Sequence, residues 1–376
     1  MYDMKSVSLI TILDNVNFGT YLQALALCKV VETFGYDVSL VHYTRPFMTR
    51  KNYPLVIRKE YGFFRWLTHC VLSGGMNSNF NLKDRNIKFL KKHISLTREF
   101  VSFEDLRKDP PISTIYMTGS DQVWNSIHNK GIDRSFFLDF VPKGGVKIAY
   151  AASFGVSEIP SKEKKEIVLM LRNYKKITVR EDSASEILAN FGIEADVVLD
   201  PTLLLNKREW ANLVDVSLDF SEPYLLTYSV ENAEQDKLIE YYARKISKEK
   251  KLKIYHVSYL PQRKTPAYAD RSFHLATMEV FVKLVYNSSF VIVSSFHGTA
   301  FAINFNKNFL SVAPSRFDSR VKSLLKIVGL EDCLVSEKCR IVNVLDIDYG
   351  KVNEVLDCER SRSLCVLREM LRKECL

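Results

Sequence analysis

One histidine stands between an apolar run and a run of small and apolar residues, in the segment SSFHGTAFAINFN at positions 294–306. The run before it, FVIV at 290–293, is typical of a buried strand, and residues 298–305 have the apolar spacing of a buried helix. In open α/β sheets the carboxyl ends of strands line the ligand crevice, and the N–H groups at a helix N-terminus favour anions. His297 is therefore a candidate proton donor beside an anion site. The alternative is an imidazole packed in a turn.

Two further segments have a charged side chain directly after a predicted strand. In GSDQVWN, at 119–125, Asp121 stands where a carboxylate can face a crevice, although an aspartate there can also cap a short helix. In ITVREDSA, at 177–184, Arg180 can hold a carboxylate or phosphate with two parallel hydrogen bonds, or it can pair with a nearby acid.

The first predicted turn between a strand and a helix also contains polar residues, in NVNFGTYLQ at 15–23. Asn17, Gly19 and Gln23 lie around this turn and are weaker candidates for a crevice. The spacing is not GxGxxG, so it does not indicate a strict dinucleotide-binding fold. The chain also lacks the P-loop pattern and the HExxH and GxSxG motifs.

Composition and charge indicate a globular protein with an anionic partner. The chain has 376 residues, of which 47% are apolar and 26% charged, and its formal net charge is +9. We find no apolar run long enough to span a bilayer and no signal-peptide pattern. The seven cysteines include no CxxC pair, which favours reduced thiols in the cytoplasm and no metal site. The positive charge suits a phosphorylated substrate or an anionic lipid, and nucleic acid is disfavoured because its binding motifs are absent.

Alternating strand and helix patterns predict two α/β domains with doubly wound sheets. The first domain is expected at 1–200 and the second at 201–350, and a charged helix is expected at 351–376. The dipeptide Asp200-Pro201 interrupts the strand pattern and is a credible hinge. Two such domains are expected to face each other across a cleft.

The segment at about 51–96 does not fit this alternation. Its stretch YGFFRWLTHCVLSGG, at 61–75, is aromatic and apolar, and basic residues lie beside or within it at Arg50, Lys51, Arg58, Lys59 and Arg65. Such a segment can lie on an anionic membrane surface. The alternative is a helix packed on the first domain with its basic side chains in solvent.

Six motifs occur in an order that strongly resembles the polysaccharide pyruvyl transferase family. From about Thr11 to about Leu330 the chain contains NxGxxLQ, GSDQVWN, AYAASFG, VRED, LDPTLLL and SSFHGTAFAINFN. Two positions depart from the family pattern, because Ser294 stands where many members have an acidic residue and NKNF at 306–309 replaces the frequent NKPF. The resemblance implies a glycosyltransferase-B-like fold, with two Rossmann-like domains facing across a cleft.

The resemblance also implies an activity. Family members transfer a pyruvate unit from phosphoenolpyruvate to a sugar of a bacterial surface polysaccharide or its lipid-linked precursor, commonly as a cyclic ketal. This reaction requires no metal or cofactor. Protonation of C3 of the donor needs a general acid, for which histidine is suited because it titrates near neutral pH. His297 is assigned this role, and Asp121 is the candidate base or acceptor-hydroxyl binder.

The binding residues that the resemblance implies fall into two groups. The acceptor is expected to contact Asn17 and Gln23 in the first domain. Phosphoenolpyruvate is expected in the second domain, at the helix N-terminus formed by Ser295, Gly298 and Thr299. The arginines expected to clamp phosphoenolpyruvate are, in order, Arg180, Arg320 and Arg316.

Two other functions are open at this stage. One is a glycosyltransferase of the same fold that uses a nucleotide-activated sugar, and the other is a non-catalytic protein that binds anionic glycans. Localisation is expected in the cytoplasm, with peripheral contact at the inner face of the cytoplasmic membrane if the acceptor is lipid-linked. The donor that is consumed in the presence of acceptor separates these functions.

Overall fold

The computed structural model describes residues 5–54, 58–59, 62, 75–217, 222–230, 233–259, 265–313, 319–338 and 346–372. The chain divides into two compact units. The first consists of Met1–Leu204 with Glu359–Leu376, and the second of Leu205–Cys358.

The first unit contains a parallel sheet in the order β3-β2-β1-β4-β5-β6-β7. Its strands are β1 (Ser6–Ile10), β2 (Asp37–Tyr43), β3 (Ser95–Phe100), β4 (Ile115–Thr118), β5 (Val146–Ala152), β6 (Lys176–Val179) and β7 (Asp196–Val197). Its helices are α1 (Phe18–Thr33), α2 (Gly75–His93), α3 (Phe103–Lys108), α4 (Ser126–Asn129), α5 (Ser161–Leu171), α6 (Asp182–Ala189) and α7 (Pro201–Leu204).

The second unit contains a parallel sheet in the order β10-β9-β8-β11-β12-β13. Its strands are β8 (Tyr224–Tyr228), β9 (Lys253–Ser258), β10 (Arg271–His274), β11 (Phe290–Val293), β12 (Asn308–Val312) and β13 (Leu334–Val335). Its helices are α8 (Lys207–Leu213), α9 (Ala233–Lys250), α10 (Met278–Asn287), α11 (Phe296–Asn304) and α12 (Ser319–Val328). The last helix, α13 (Tyr349–Leu371), begins in the second unit and ends in the first.

Each sheet reverses its strand order once. In the first unit the chain proceeds from β1 to β2 and β3, and then returns to form β4 on the other side of β1. In the second unit β11 returns in the same way to pair with β8. Connections leave such a reversal in opposite directions, which opens a crevice outside the carboxyl ends of the strands. The segments that follow β1, β4, β8 and β11 are therefore the places where each unit can accept a ligand.

The buried strands explain why the sequence predicted the sheets well. The strands β4 (IYMT) and β11 (FVIV) are buried along their whole length, as expected when helices cover both faces of a parallel sheet. The two predicted α/β sheets are confirmed, and β11 has the bounds that were predicted for it. No helix within the described ranges is long and apolar enough to cross a membrane.

Three parts of the chain differ from the prediction. The segment at about 51–96 was expected to lie outside the alternation, but it contains α2 and leads into β3, an edge strand of the first sheet. Its SLTREF sequence was missed because most of its residues face solvent. Residues 201–204 and 359–376 belong to the first unit, so the division of the chain lies after Leu204. Arg58 and Lys59 are exposed, whereas Arg65 and the aromatic residues 63–66 lie outside the described residues.

Lys307, in the NKNF turn before β12, contacts the end of α10. Its Nζ donates a hydrogen bond of 2.8 Å to the carbonyl oxygen of Ser288, the residue after α10, and Lys207 Nζ lies 4.9 Å from the ring centre of Tyr286. The ammonium group of Lys307 thus complements the negative end of the helix dipole. Burial, with a smaller contribution from Lys207, lowers the pKa of Lys307 from 10.5 to about 8.

Replacement of Lys307 by methionine tests this pKa. Below pH 8 Lys307 is protonated in both the folded and the unfolded chain, so the cost of burying its charge is fully present. Between pH 8 and 10.5 the unfolded chain binds more protons, so the stability of the wild type rises relative to the variant. We expect the thermal midpoint of Lys307→Met minus that of wild type to decrease by about 2–6 °C from neutral pH to about pH 10. A difference that does not change with pH would contradict the lowered pKa.

Candidate functional site

In the second unit, the turn after β11 holds His297 by local hydrogen bonds. Ser295 caps α11, because its Oγ accepts a hydrogen bond of 2.9 Å from the N–H of Gly298. Thr299 Oγ1 donates to the carbonyl oxygen of Ser295 over 3.0 Å and lies 2.8 Å from Ser311 Oγ of β12. These bonds fix the first turn of α11 and therefore the backbone at His297.

His297 is the second residue of α11, and only 6% of it is exposed. Its ring centre lies 5.2 Å from that of Phe296 in an edge-to-face arrangement. The guanidinium carbon of Arg320, on α12, lies 5.9 Å from the centre of the same phenyl ring. The structure therefore brings His297 and Arg320 to one aromatic side chain. Arg316 lies outside the described residues.

Glycine is required at position 298 because α11 begins close to β11. A Cβ atom there would lie 3.0 Å from Ser295 Oγ and 3.0 Å from Val293 Cβ, which is tighter than ordinary contact. The missing side chain lets the helix N-terminus, with its partial positive charge, approach the strand end. The N–H groups of Gly298 and Thr299 both donate to Ser295, so an anion that binds to N–H groups of this first turn would do so at Phe296 and His297. The contact of Ser295, Gly298 and Thr299 with a donor stays a prediction.

In the first unit, Asp121 follows β4 with a strained backbone. Its φ is +84°, and it forms a bridge with Ala152 of β5. Its Oδ2 accepts a hydrogen bond of 3.0 Å from Thr20 Oγ1, and its Oδ1 accepts one of 2.8 Å from the N–H of Gln122. The short helix α4 is capped by Asn125, so Asp121 does not have the capping role that the sequence left open. A strained non-glycine residue at a strand end is typical of a functional site.

Arg180 follows β6 and is buried among three carboxylates. Its Nη1 donates to Asp200 Oδ2 over 2.9 Å and to Ser120 Oγ over 3.3 Å. Its Nη2 lies 3.7 Å from Asp121 Oδ1, and its Nε lies 3.9 Å from Glu181 Oε2. Burial alone would lower the pKa of Arg180, but the carboxylates outweigh this effect and raise that pKa. The guanidinium is therefore charged at neutral pH.

This geometry bears on the predicted role of Arg180 as an anion clamp. Its side chain is 1% exposed and Asp200 compensates its charge, which matches the alternative that the arginine pairs with a nearby acid. Its contact with the donor stays a prediction, whereas its position between the three carboxylates is observed. Within the described ranges, no group of three or more histidine, cysteine, aspartate or glutamate side chains is arranged to hold a metal ion.

The two acceptor-binding candidates both have structural contacts. Asn17 is partly buried and caps α1, where its Oδ1 accepts a hydrogen bond of 3.0 Å from the N–H of Gly19. Gln23 is fully buried, and its Nε2 donates to Thr11 Oγ1 over 3.0 Å. Thr11 Oγ1 in turn donates to the carbonyl oxygen of Ser120 over 2.6 Å. Gln23 therefore connects α1 to the segments after β1 and β4, and of the two only Asn17 has surface that an acceptor can reach.

Several charged residues that follow strands of the first sheet were not selected from the sequence. Glu181 and Asp200 complete the group around Arg180, and a second buried pair lies nearby. Arg45 Nη2 and Nε donate to the two carboxylate oxygens of Asp14 over 2.6 and 2.8 Å, and Arg45 Nη1 donates to Asn129 Oδ1 over 2.7 Å. The signal that could have identified them is their position, because each of these charged residues follows a strand of the same parallel sheet.

Gly155 allows the AYAASFG motif to pack against GSDQVWN. Its φ is +64°, and a Cβ atom there would lie 2.2 Å from Gln122 Oε1 and 2.9 Å from Asn125 Nδ2. The N–H of Gly155 donates to Glu181 Oε1 over 3.3 Å, and the same oxygen accepts a hydrogen bond of 2.7 Å from Ser153 Oγ. The segments after β4, β5 and β6 therefore meet at this glycine.

Comparison with known proteins identifies a family. A family model described as "Polysaccharide pyruvyl transferase" matches residues 17–316, most of the chain. The matched range includes Asn17, Asp121, Arg180 and His297. No curated protein sequence matches the chain.

Solved structures establish the fold. A UDP-GlcNAc 2-epimerase from Neisseria meningitidis bound to UDP-GlcNAc has a TM-score of 0.52 and 8% identity, over 98% of this chain and 99% of that chain. A protein described as a putative UDP-N-acetylglucosamine 2-epimerase from Listeria monocytogenes has a TM-score of 0.51 and 11% identity, over 96% of this chain and 91% of that chain. The prediction of a glycosyltransferase-B-type fold with two parallel α/β domains is confirmed. At these identities the similarity shows the fold alone.

Replacement of Gly155 by alanine tests the packing of the two motifs. Gly144, with φ of +89° and no atom within 4 Å of a built Cβ, provides a matched control for the backbone penalty. Alanine at either position costs about 1–2 kcal/mol because of the left-handed backbone. Gly155→Ala adds a clash worth about 1–3 kcal/mol, so its thermal midpoint is expected to be lower than that of Gly144→Ala by about 2–10 °C. Equal midpoints would show that the two motifs do not pack as closely as described.

Proposed function

Because the chain belongs to the polysaccharide pyruvyl transferase family, we propose that it transfers the pyruvate unit of phosphoenolpyruvate to a sugar as a cyclic ketal. The acceptor is a sugar of a bacterial surface polysaccharide or of its lipid-linked precursor. The observation that supports this most is the turn after β11, where His297 lies at the N-terminus of α11 beside the strand reversal of the second sheet. An imidazole that can donate a proton and a helix N-terminus that favours anions are the two groups that protonation of phosphoenolpyruvate requires.

In the proposed reaction, each proton has a source and a destination. His297 protonates C3 of phosphoenolpyruvate, which makes C2 electrophilic, while the first sugar hydroxyl attacks C2 and loses its proton. The C2–O bond to phosphate then breaks, inorganic phosphate leaves, and the second hydroxyl closes the ketal as it loses its proton. Of the two hydroxyl protons, one replaces the proton that His297 gave to C3 and the other is taken up by phosphate. The sum is one phosphoenolpyruvate and one sugar diol converted into one ketal and one phosphate, with no change of oxidation state. No step calls for a metal ion or a cofactor.

On the acceptor side, we assign Asp121 as the group that binds or deprotonates the sugar hydroxyl. Its Oδ2 already accepts a hydrogen bond from the hydroxyl of Thr20 at 3.0 Å, so the carboxylate is oriented by a hydroxyl partner. Arg180 Nη2 lies 3.7 Å from Oδ1 of the same carboxylate. Asn17 is the further acceptor contact that we propose in this unit.

On the donor side, Arg320 is the candidate arginine that lies among the described residues of the second unit. Its guanidinium shares the ring of Phe296 with His297, and its side chain is only partly buried. An arginine binds a phosphate or carboxylate through two parallel hydrogen bonds. We therefore propose that Arg320 and the N-terminus of α11 bind the phosphate and carboxylate of the donor.

The experiment that tests the reaction compares donors. The purified protein is incubated with a lipid-linked oligosaccharide and either phosphoenolpyruvate or a panel of nucleotide sugars, and the acceptor is analysed by mass spectrometry. A mass gain of one pyruvate ketal, with phosphate released in equal amount, supports the proposal. Transfer of a sugar from a nucleotide sugar would instead indicate a glycosyltransferase. Binding of the glycan without turnover would indicate a binding protein.

His297→Ala is expected to lose most of this turnover while the fold is retained. General acid–base catalysis contributes about 10²- to 10⁴-fold, and glutamine at this position should not restore it because an amide does not titrate in this range. His274 of β10 is exposed and provides a control, so His274→Ala should have wild-type rates. Near-normal turnover of a folded His297→Ala protein would contradict the assignment.

We also propose peripheral contact with an anionic membrane, where a lipid-linked acceptor would lie. The exposed face of α2 has the required charge, since Lys88, Lys91 and Lys92 are exposed on it and no described carboxylate pairs with them. Asp84 on the same face is paired with Arg50. Basic side chains close to an anionic bilayer are attracted to it within about one Debye length.

Charge reversal on α2 tests the membrane contact. Each basic residue contributes about 1 kcal/mol, or roughly fivefold in binding, so changing Lys88, Lys91 and Lys92 to glutamate should weaken binding to phosphatidylglycerol vesicles about 100-fold or more. Lys237, Lys245 and Lys248, exposed on α9, give a control with the same change of net charge. Flotation with vesicles at low and high salt measures both variants. Equal loss in the two variants, or no binding by the wild type at low salt, would contradict a docking surface on α2.

A further inference from the structure

A directed chain of hydrogen bonds joins the ends of β8 and β11 to α9. Ser294, directly after β11, donates its hydroxyl proton to Ser229 Oγ over 3.2 Å and accepts a hydrogen bond of 3.2 Å from the N–H of Val230. Ser229 in turn donates to Asp236 Oδ1 over 2.5 Å. The N–H of Ser294 donates to the carbonyl oxygen of Tyr228 over 3.1 Å and so continues the ladder of the two strands. Both serines are buried.

The carboxylate of Asp236 sets the direction of this chain. An ionised carboxylate only accepts hydrogen bonds, and each serine hydroxyl has a single proton to donate. Ser229 must therefore turn its proton to Asp236, and its oxygen is then available to accept from Ser294. Asp236 lies in the first turn of α9, where the helix dipole favours a negative charge. One carboxylate thus orients two buried hydroxyls and fixes the backbone N–H of Val230.

We infer that Asp236 is a positioning residue for His297. It acts through Ser229 and Ser294, which hold the end of β11 against β8 at the point where Ser295 caps α11. Only three positions separate Ser294 from His297, and the intervening backbone is fixed by the cap. This inference rests on the proposed role of His297 as the general acid, because a general acid displaced from its proton acceptor loses its effect on the rate.

The hydrogen-bonded series of Ser294, Ser229 and Asp236 suits one carboxylate and not two. A carboxylate at position 294 would itself accept from the N–H of Val230 and from the hydroxyl of Ser229, so it would make the partner at Asp236 unnecessary. With both carboxylates present, the single proton of Ser229 could bond to only one of them, and the two negative charges would repel across that serine. Ser294→Asp and Asp236→Asn should therefore each be harmful and should compensate when they are combined.

The test is a cycle of four proteins, the wild type, Ser294→Asp, Asp236→Asn and the double variant. We expect each single substitution to lower kcat about tenfold, the effect of losing one charge-assisted hydrogen bond, with the KM for phosphoenolpyruvate changed by less than about threefold. The double variant should recover kcat to within about threefold of the wild type. Glu234→Gln, an exposed change in the same first turn of α9, controls for the helix dipole and should leave kcat unchanged.

A second measurement does not depend on the donor. In protein labelled with ¹³C-histidine, the ring resonance of His297 is identified by its loss in His297→Ala. This resonance should shift in both single variants and return in the double variant. Additive losses of kcat, or a resonance that does not move, would overturn the inference. Absence of phosphoenolpyruvate-dependent turnover in the wild type would instead contradict the proposed reaction, and the resonance would then decide the positioning role alone.

Discussion

The first unit depends on a buried positive charge. Arg180 is surrounded by Asp200, Asp121 and Glu181, which follow β7, β4 and β6, and Glu181 also binds the segment after β5. Placing a guanidinium in the interior is costly unless carboxylates and hydrogen bonds compensate it, and removing one partner of such a pair typically costs about 3–5 kcal/mol. Arg180 therefore links the ends of β4, β6 and β7, and Glu181 adds the segment after β5 to this arrangement. Asp121, with its strained backbone, is kept in place by that arrangement.

In the second unit, hydrogen bonds between hydroxyl groups connect the strand ends, in contrast to the ion pairs of the first unit. At its strand reversal, serine and threonine hydroxyls connect β8, β11 and β12, and the carboxylate of Asp236, on α9, accepts a hydrogen bond from one of them. Ser229 and Ser294 separate the carboxylate of Asp236 from the N-terminus of α11, and a helix N-terminus favours an anionic ligand. A site rich in carboxylates suits sugar hydroxyls, because carboxylates accept their protons. The two edges thus have the complementary chemistry that the proposed acceptor and donor require.

The family motifs are places where backbones approach closely. Gly155 of AYAASFG would clash with Gln122 and Asn125 of GSDQVWN if it had a side chain, and Gly298 of SFHG would clash with Val293. The two motifs of the first unit therefore pack directly against each other. In SFHG, the first turn of α11 packs closely against the end of β11. Each of these motifs lies at the end of a strand. The order of the motifs along the chain is therefore the order of those strands.

Local sequence determined the two parallel sheets, because strands buried on both faces are continuous apolar runs that contrast with the helices between them. It also selected His297, Asp121 and Arg180, since each follows such a run, and the motif order identified the family. It could not select Asp236 or Asp200, because their importance lies in which distant residues they contact. In the sequence, the dipeptide Asp200-Pro201 indicated only a break in the strand pattern. In the structure, Asp200 pairs with an arginine 20 positions earlier. Only the tertiary structure decided that Arg180 lies between carboxylates and that a carboxylate on α9 reaches the turn of His297, because side-chain partners are set by strand order and packing and not by spacing along the chain.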